Sequence, residues 1–283
     1  MSSPRTVAVL SHARPAETDD ALRHLIALAA HEGTVVRLDR AESEKHPALA
    51  PGPGVEIAES HGEVDLAIAL GGDGTILRAL REFAGTGVPV FGVNFGEIGF
   101  LSTVDRDEGP AVFERALAGD FDTLTLPAIE LHHDGEKRLA VNDAAITRKV
   151  GERVANLAYA VSGEEVGSVR CDGLVVATPA GSTGYNLANG GPVMAWGVEG
   201  FVVSFIAPHS LTARALVVAP NDLLTVHNRS ESAVDVHVDG RPISELEPGG
   251  TVQAGFVREA TELALVPGSS FYKRLREKFG RLV

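Results

Sequence analysis

The chain is short of several things, and each shortage removes a class of answers. Its 283 residues include one cysteine, Cys171, so no disulfide can close within the chain and no cysteine-built zinc site is available. That usage suits a reducing compartment. Positive charge is scarce: 25 Lys and Arg, only five of them lysine, against 38 Asp and Glu give a formal net charge of −13. Such an acidic surface argues against nucleic acid or an anionic membrane as the main partner. A small anionic ligand stays open, because main-chain amides can hold a phosphate locally. No apolar run approaches the roughly 18 residues of a membrane helix. The opening MSSPRTVAVLSHARP has one arginine before a very short apolar run and reads as a first strand, not a signal peptide. A cytoplasmic protein is expected. The spacing of the ten histidines in the sequence suggests no metal constellation, and no GxSxG nucleophile motif, internal repeat or low-complexity tract is present.

The first part of the chain alternates strand-like and helix-like stretches. Strands are expected at Thr6–Leu10, Thr34–Leu38, Val64–Leu70 and Val88–Val93, and helices at Asp19–Ala30, Ile76–Phe83 and Gly109–Leu117. Pro47–Gly54, with three prolines and two glycines, can only be a loop. Apolar strands separated by helices predict a parallel sheet covered on both faces. From about Phe121 strands follow strands, with hairpin turns at Asp134-Gly135 and Gly163–Glu165. Further short strands are expected at Leu174–Ala177, Phe201–Ile206, Leu216–Val218, Leu223–Val226 and Val234–Val238, so this half should be mostly antiparallel β. The closing FYKRLREKFGRLV is basic with an apolar stripe, the pattern of a helix that docks back on the acidic first domain. The expected division is an α/β domain over 1–122, a β-rich domain over 123–266 and a returning helix over 267–283.

Two glycine-rich loops follow buried strands. In Leu70-Gly71-Gly72-Asp73-Gly74-Thr75 the glycines let a ligand approach the main chain, and the following helix offers its N–H groups to a phosphate. The loop lacks the Lys-Ser/Thr of a P-loop and the spacing of a dinucleotide fingerprint. Asp73 is the odd residue, since a carboxylate in such a loop repels phosphate unless it has a task. Ligating Mg²⁺, binding a sugar hydroxyl and taking that hydroxyl's proton are the available tasks; capping the helix is the structural alternative. Gly92–Gly99, containing Asn94, repeats the arrangement. In the β half, Asn142 and Asp143 interrupt an apolar alternation. The stretch from Asp172 through Thr178–Asn186 to Gly190–Pro192 is dense in hydroxyls and glycines. There Tyr185 offers a face for a purine, with Thr183 and Asn186 as hydrogen-bond partners.

Taken together, GGDGTILRA (71–79), GVNFGEIGFLS (92–102), VNDAAITR (141–148), DGLVVATPAGSTGYNLANGGP (172–192), APHSLTARALVV (207–218) and VDGR (238–241) resemble the NAD kinase family. The first loop alone is shared with diacylglycerol and sphingosine kinases and phosphofructokinases; the combination is specific. The resemblance implies a diacylglycerol-kinase/phosphofructokinase-like α/β domain followed by an all-β domain. It implies transfer of a phosphoryl group from ATP or polyphosphate, with Mg²⁺, to the 2′-hydroxyl of the adenosine ribose of NAD, in a homodimer or homotetramer. By the same resemblance Asp73 would be the catalytic base. Gly74, Arg78, Asn142, Asp143, Asp172 and Thr183, Gly184, Tyr185, Asn186, Leu187 and Ala188 would bind the dinucleotide, and Arg153, Arg170 and Ala207 would border the same pocket. The chain departs from the family's usual GSTAYSLSAGGP at Gly184, Asn186, Ala188 and Asn189, and Arg241 stands where many bacterial members have glutamine. Two rivals remain: a sensor that binds NAD(P) without catalysis, and a lipid or sugar kinase sharing the first loop.

Overall fold

The computed structural model describes residues 3–49, 51–96, 99–105 and 111–280. The chain divides into two compact units, one of residues 1–125 and 261–283 and the other of residues 126–260.

The first unit is α/β. Its elements in chain order are β1 (Thr6–Ser11), α1 (Asp19–Glu32), β2 (Val35–Asp39), α2 (Arg40–Lys45), β3 (Val55–Ala58), β4 (Leu66–Gly71), α3 (Asp73–Glu82), β5 (Pro89–Asn94), β6 (Val104–Asp105) and α4 (Ala111–Ala118). The expected start of α4 at Gly109 lies outside the described residues. The strands are parallel in the order β3-β2-β1-β4-β5, with β6 alongside β5. β1 and β4 are buried along nearly their whole length, as a sheet covered on both faces requires. The core joins Val7, Val9, Ile68, Leu70 and Phe91 of the sheet to Leu22, Leu25 and Ala29 of α1 and Val112, Phe113 and Ala116 of α4. α1 ends where Gly33 takes a left-handed conformation (φ +73°). The order reverses direction between β1 and β4, so the loops leaving β4 and β5 lie where open α/β sheets take their ligands.

The second unit is built from β7 (Asp122–His133), β8 (Glu136–Ala140), β9 (Asp143–Arg148), β10 (Ala155–Val161), β11 (Glu164–Cys171), β12 (Gly173–Ala177), the single turn α5 (Tyr185–Ala188), β13 (Phe201–Ile206), β14 (Leu216–Val218), β15 (Leu224–Asn228), β16 (Val234–Val238), β17 (Arg241–Leu246) and β18 (Thr251–Leu265). One antiparallel sheet runs β14-β13-β12-β9-β16-β17, and a second runs β11-β10-β15-β18 with the β7–β8 hairpin beside it. Ile146, Leu174, Val203 and Val236 of the first sheet share a core with Leu157, Val226 and Val252 of the second, which makes a sandwich. β18 begins in this unit and ends in the first, where Glu262 and Leu263 pair in parallel with Pro89 and Val90 of β5. The closing helix α6 (Phe271–Phe279) belongs to the α/β unit, capped by Ser270, whose hydroxyl accepts the Lys273 N–H.

Candidate functional site

In the α/β unit Gly72 is the cap residue and Asp73 the first residue of α3. The carboxylate makes no capping bond to its own helix; it reaches the second loop. Phe100 N–H donates to Oδ2 (2.8 Å) and Leu101 N–H to Oδ1 (3.1 Å). A β-carbon on Gly99 would sit on the same carboxylate, so glycine is required there by close approach. The second loop is shaped by Asn94, whose Oδ1 accepts the Gly96 N–H (3.0 Å) and whose amide donates to Asp105 (2.8 Å). Glu97 and Ile98 of this loop lie outside the described residues. The helix α6 completes the seat: Arg274 donates to the carbonyls of Phe100 (3.1 Å) and Ser102. Lys278 Nζ lies 4.0 Å from Asp73 Oδ2 and 4.7 Å from the centre of the Phe100 ring. Asp73 remains about a third exposed (34%) and Gly74 is open to solvent, so a ligand can reach the helix start.

Arg78, more than a turn further along α3, turns to the end of β1. It donates to the Ser11 carbonyl (2.9 Å) and the Glu42 carboxylate (2.6 Å). Glu42 is buried. Burial alone would raise its pKa, but Lys45, Ser11 and Arg78 together hold it below the usual carboxylate range.

In the β unit the strand register assembles the rest. Asp143 opens β9 opposite Ala177, the last residue of β12, and Ala144 pairs with Val238, the last of β16. The Asn142-Asp143 turn, the loop leaving β12 and the β16–β17 turn therefore meet at one end of the sheet. Asp239, in that last turn, takes the main-chain N–H groups of Val141 (3.1 Å), Asn142 (2.8 Å) and Asp143 (3.1 Å) on its carboxylate. Asp143 itself is buried, and its carboxyl is pushed up to about 7, first by burial and then by the charge of Asp239. The Asn142 Oδ1 is buried with no partner among the described residues.

Within the loop after β12, Asn186 is fully buried, and its amide donates to the Ser182 (2.9 Å) and Pro192 (3.0 Å) carbonyls. Its bonds therefore shape the loop. Thr183 is half-buried and bonds back to Ala180 (3.3 Å), Leu187 is half-buried, and Ala188 is exposed. Tyr185 is 41% exposed, its hydroxyl pKa raised by partial burial and by the charges of Asp143 and Asp172. A β-carbon on Gly184 would lie 3.3 Å from the Gly181 carbonyl oxygen and 4.0 Å from Asp143 Oδ2, so the departure to glycine clears space beside that carboxylate.

Asp172 lies at the other end of β12, roughly 15 Å of strand away. Arg148 binds it (2.6 Å) and, with the nearby His209, holds it below the usual carboxylate range. Arg170 is exposed, and its carbonyl accepts the His209 N–H (2.7 Å). Ala207 takes a left-handed conformation (φ +43°) in the loop leaving β13. Arg153 is exposed on the β9–β10 loop. Tyr185 feels the charge of both carboxylates. Sequence reasoning singled out neither Asp239, Arg148, Arg274 nor Lys278. The Asp-Gly turn and the basic closing helix were visible signals, but their hydrogen-bond partners were not.

The two halves match known families. The ATP-NAD kinase N-terminal domain model matches residues 53–121 and the ATP-NAD kinase C-terminal domain model residues 141–264. An NAD kinase from Symbiobacterium thermophilum is 37% identical over 245 residues, covering 82% of this chain and 86% of the relative. One from Koribacter versatilis is 33% identical over 280 residues, covering 97% of each. Among solved structures, yeast NADH kinase complexed with NADH superposes with a TM-score of 0.88 at 23% identity, over 100% of this chain and 91% of that one. An Archaeoglobus fulgidus NAD kinase in complex with ATP gives 0.72 at 25%, over 97% of each.

Proposed function

Since the chain belongs to the NAD kinase family, and so to the phosphotransferases, we propose that it moves a phosphoryl group from ATP, or from polyphosphate, to the 2′-hydroxyl of the adenosine ribose of NAD. The product is NADP. The observation that carries this reading is the seat of Asp73. Each carboxylate oxygen takes one main-chain N–H, from Phe100 or Leu101, which fixes the carboxylate plane and leaves each oxygen a lone pair for a hydroxyl proton. A ribose hydroxyl is a poor nucleophile. A carboxylate within hydrogen-bond reach orients it and accepts its proton while the new O–P bond forms and the bond to the leaving phosphate breaks.

Gly74 and the start of α3 supply main-chain dipoles for phosphate, and Lys278 adds a cation beside Asp73. The β unit supplies dinucleotide contacts: Asn142 and Asp143 as polar partners, Tyr185 as a face for the adenine, and, toward the other end of β12, Asp172 with Arg153, Arg170 and Ala207. Asn186 and Arg78 act through the shape of their surroundings. A divalent cation such as Mg²⁺ carried with the donor would neutralise charge on its phosphates. The residues fit such an ion, because Asp73 is a hard, partly exposed oxygen donor with lone pairs to spare. ATP, held in the complex of the Archaeoglobus fulgidus enzyme, is a donor of the class proposed.

Purified protein given NAD, ATP and Mg²⁺, with product read by an NADP-specific dehydrogenase, tests the reading. NADP formation is expected. Binding of NAD without product would identify a sensor instead, and neither binding nor product would return the question to lipid or sugar acceptors.

A further inference from the structure

The α/β unit holds a second cluster of metal-ligating side chains away from the glycine loops. Asp39 ends β2, His61 lies in the connection from β3 to β4, and Glu82 ends α3. Each offers one ligand atom, and among the described residues these three atoms all lie within 4.8 Å of one another. We infer that Asp39, His61 and Glu82 bind one divalent cation of the zinc, cobalt or manganese type.

The imidazole is set up for this. Its side chain is only 2% exposed, and its Nε2 faces the Val9 carbonyl at 3.3 Å. A carbonyl can only accept, so Nε2 carries a hydrogen toward it and the ring is held with Nδ1 turned to the two carboxylates. Nδ1 is hydrogen-bonded to Glu82 Oε1 and lies 3.9 Å from Asp39 Oδ2, so an ion bound among these three atoms would take the place of the proton Nδ1 shares with Glu82. Asp39 is also oriented in advance, because its Oδ1 accepts the Glu42 N–H (2.6 Å) and caps α2, which leaves Oδ2 turned to the ring. The His61 main chain is braced separately by Arg37, which donates to the carbonyls of His61 (2.9 Å) and Glu63 (2.8 Å). Glu82 is 38% exposed and gives a path from solvent.

The charges agree with the geometry. Two carboxylates flank one imidazole, so the group is doubly negative when Nδ1 is unprotonated and still singly negative when it is protonated. The cluster therefore attracts a cation, and a divalent ion neutralises it completely. One nitrogen and two oxygens with room for water suit zinc, cobalt or manganese. They do not suit Mg²⁺, which prefers an all-oxygen shell, so this ion is separate from one carried by a phosphate donor. Its place is structural, tying β2 and the segment leading into β4 to the far end of the helix that begins at Asp73.

The test is titration of chelator-stripped full-length protein, without nucleotide, with ZnCl₂ and separately with CoCl₂. One tight equivalent is expected, with a raised melting temperature and cobalt d–d absorption. Glu82→Gln should weaken zinc binding at least tenfold and abolish the zinc-dependent rise in melting temperature, with an unchanged far-UV circular dichroism spectrum. His61→Asn, a second removal of a ligand, should do the same. Zinc affinity and melting shift unaltered in both variants, or no tight equivalent in the parent protein, would overturn the site and leave His61–Glu82 an ion pair only.

Discussion

Asp143 combines burial with a nearby like charge, and both favour its neutral form. Its carboxyl titrates near 3.8 in the unfolded chain and is pushed up to about 7 in the fold. The fold prefers the protonated acid, so the stabilisation from this group is complete below about 3.8 and is lost as pH rises through about 7. Asp143→Asn removes that loss. Relative to the parent, the variant should gain stability between pH 4 and 7 by up to about 1.4 kcal/mol per unit. Urea unfolding at several pH values reads the difference directly, and a difference flat across this range contradicts the assignment. Sequence alone marked Asn142 and Asp143 as out of place in a strand. It did not disclose the proton affinity, which depends first on burial and then on Asp239, 96 residues away in sequence. The same limit applies to Arg78 and Asn186: their motifs were legible, whereas the carbonyls they bind were fixed only by tertiary packing.

At the scale of elements, the strands and helices with clear periodicity were legible, and those with neither length nor alternation were not. α2 is six residues, RAESEK, without an apolar stripe, and starts because Asp39 caps it. β3 and β17 are short and mostly half-exposed. β18 alternates in its first residues and then is buried on successive positions beside β5, so no single period covers its fifteen residues. The closing helix was legible from its charge, but what it holds was not. Arg274 is half-buried and ties α6 to two carbonyls of the second loop, next to the amides that seat Asp73. Arg274→Met keeps most of the volume and removes both bonds. It should cost roughly 2–3 kcal/mol of stability and lower turnover together with it, as thermal melts and kinetics on one preparation would show. Full stability with full turnover would mean that α6 does not organise the loop.

For the whole molecule the acidity takes a different form once the units are known. Residues 1–125 carry −10, but residues 261–283 return +3 to the same unit, leaving −7 there and −6 in the β unit. The closing helix evens the charge and delivers it beside Asp73, so a strongly anionic protein still offers a cation where phosphate is proposed to sit. Each unit has its own core, and the sole cysteine lies in that of the β unit, its thiol pushed by burial up to about 11. Native Cys171 should resist thiol reagents at pH 8. If NAD binds the β unit, saturation should slow labelling by the factor 1 + [NAD]/Kd, roughly a hundredfold at 100 Kd; labelling indifferent to NAD would place the dinucleotide elsewhere. The most direct test of the central claim is the turnover number of Asp73→Asn, measured beside its NAD affinity by calorimetry. Loss of a base that accepts the ribose proton predicts turnover down by about 10²–10⁴ with NAD binding largely retained. Near-normal turnover in that variant would contradict it.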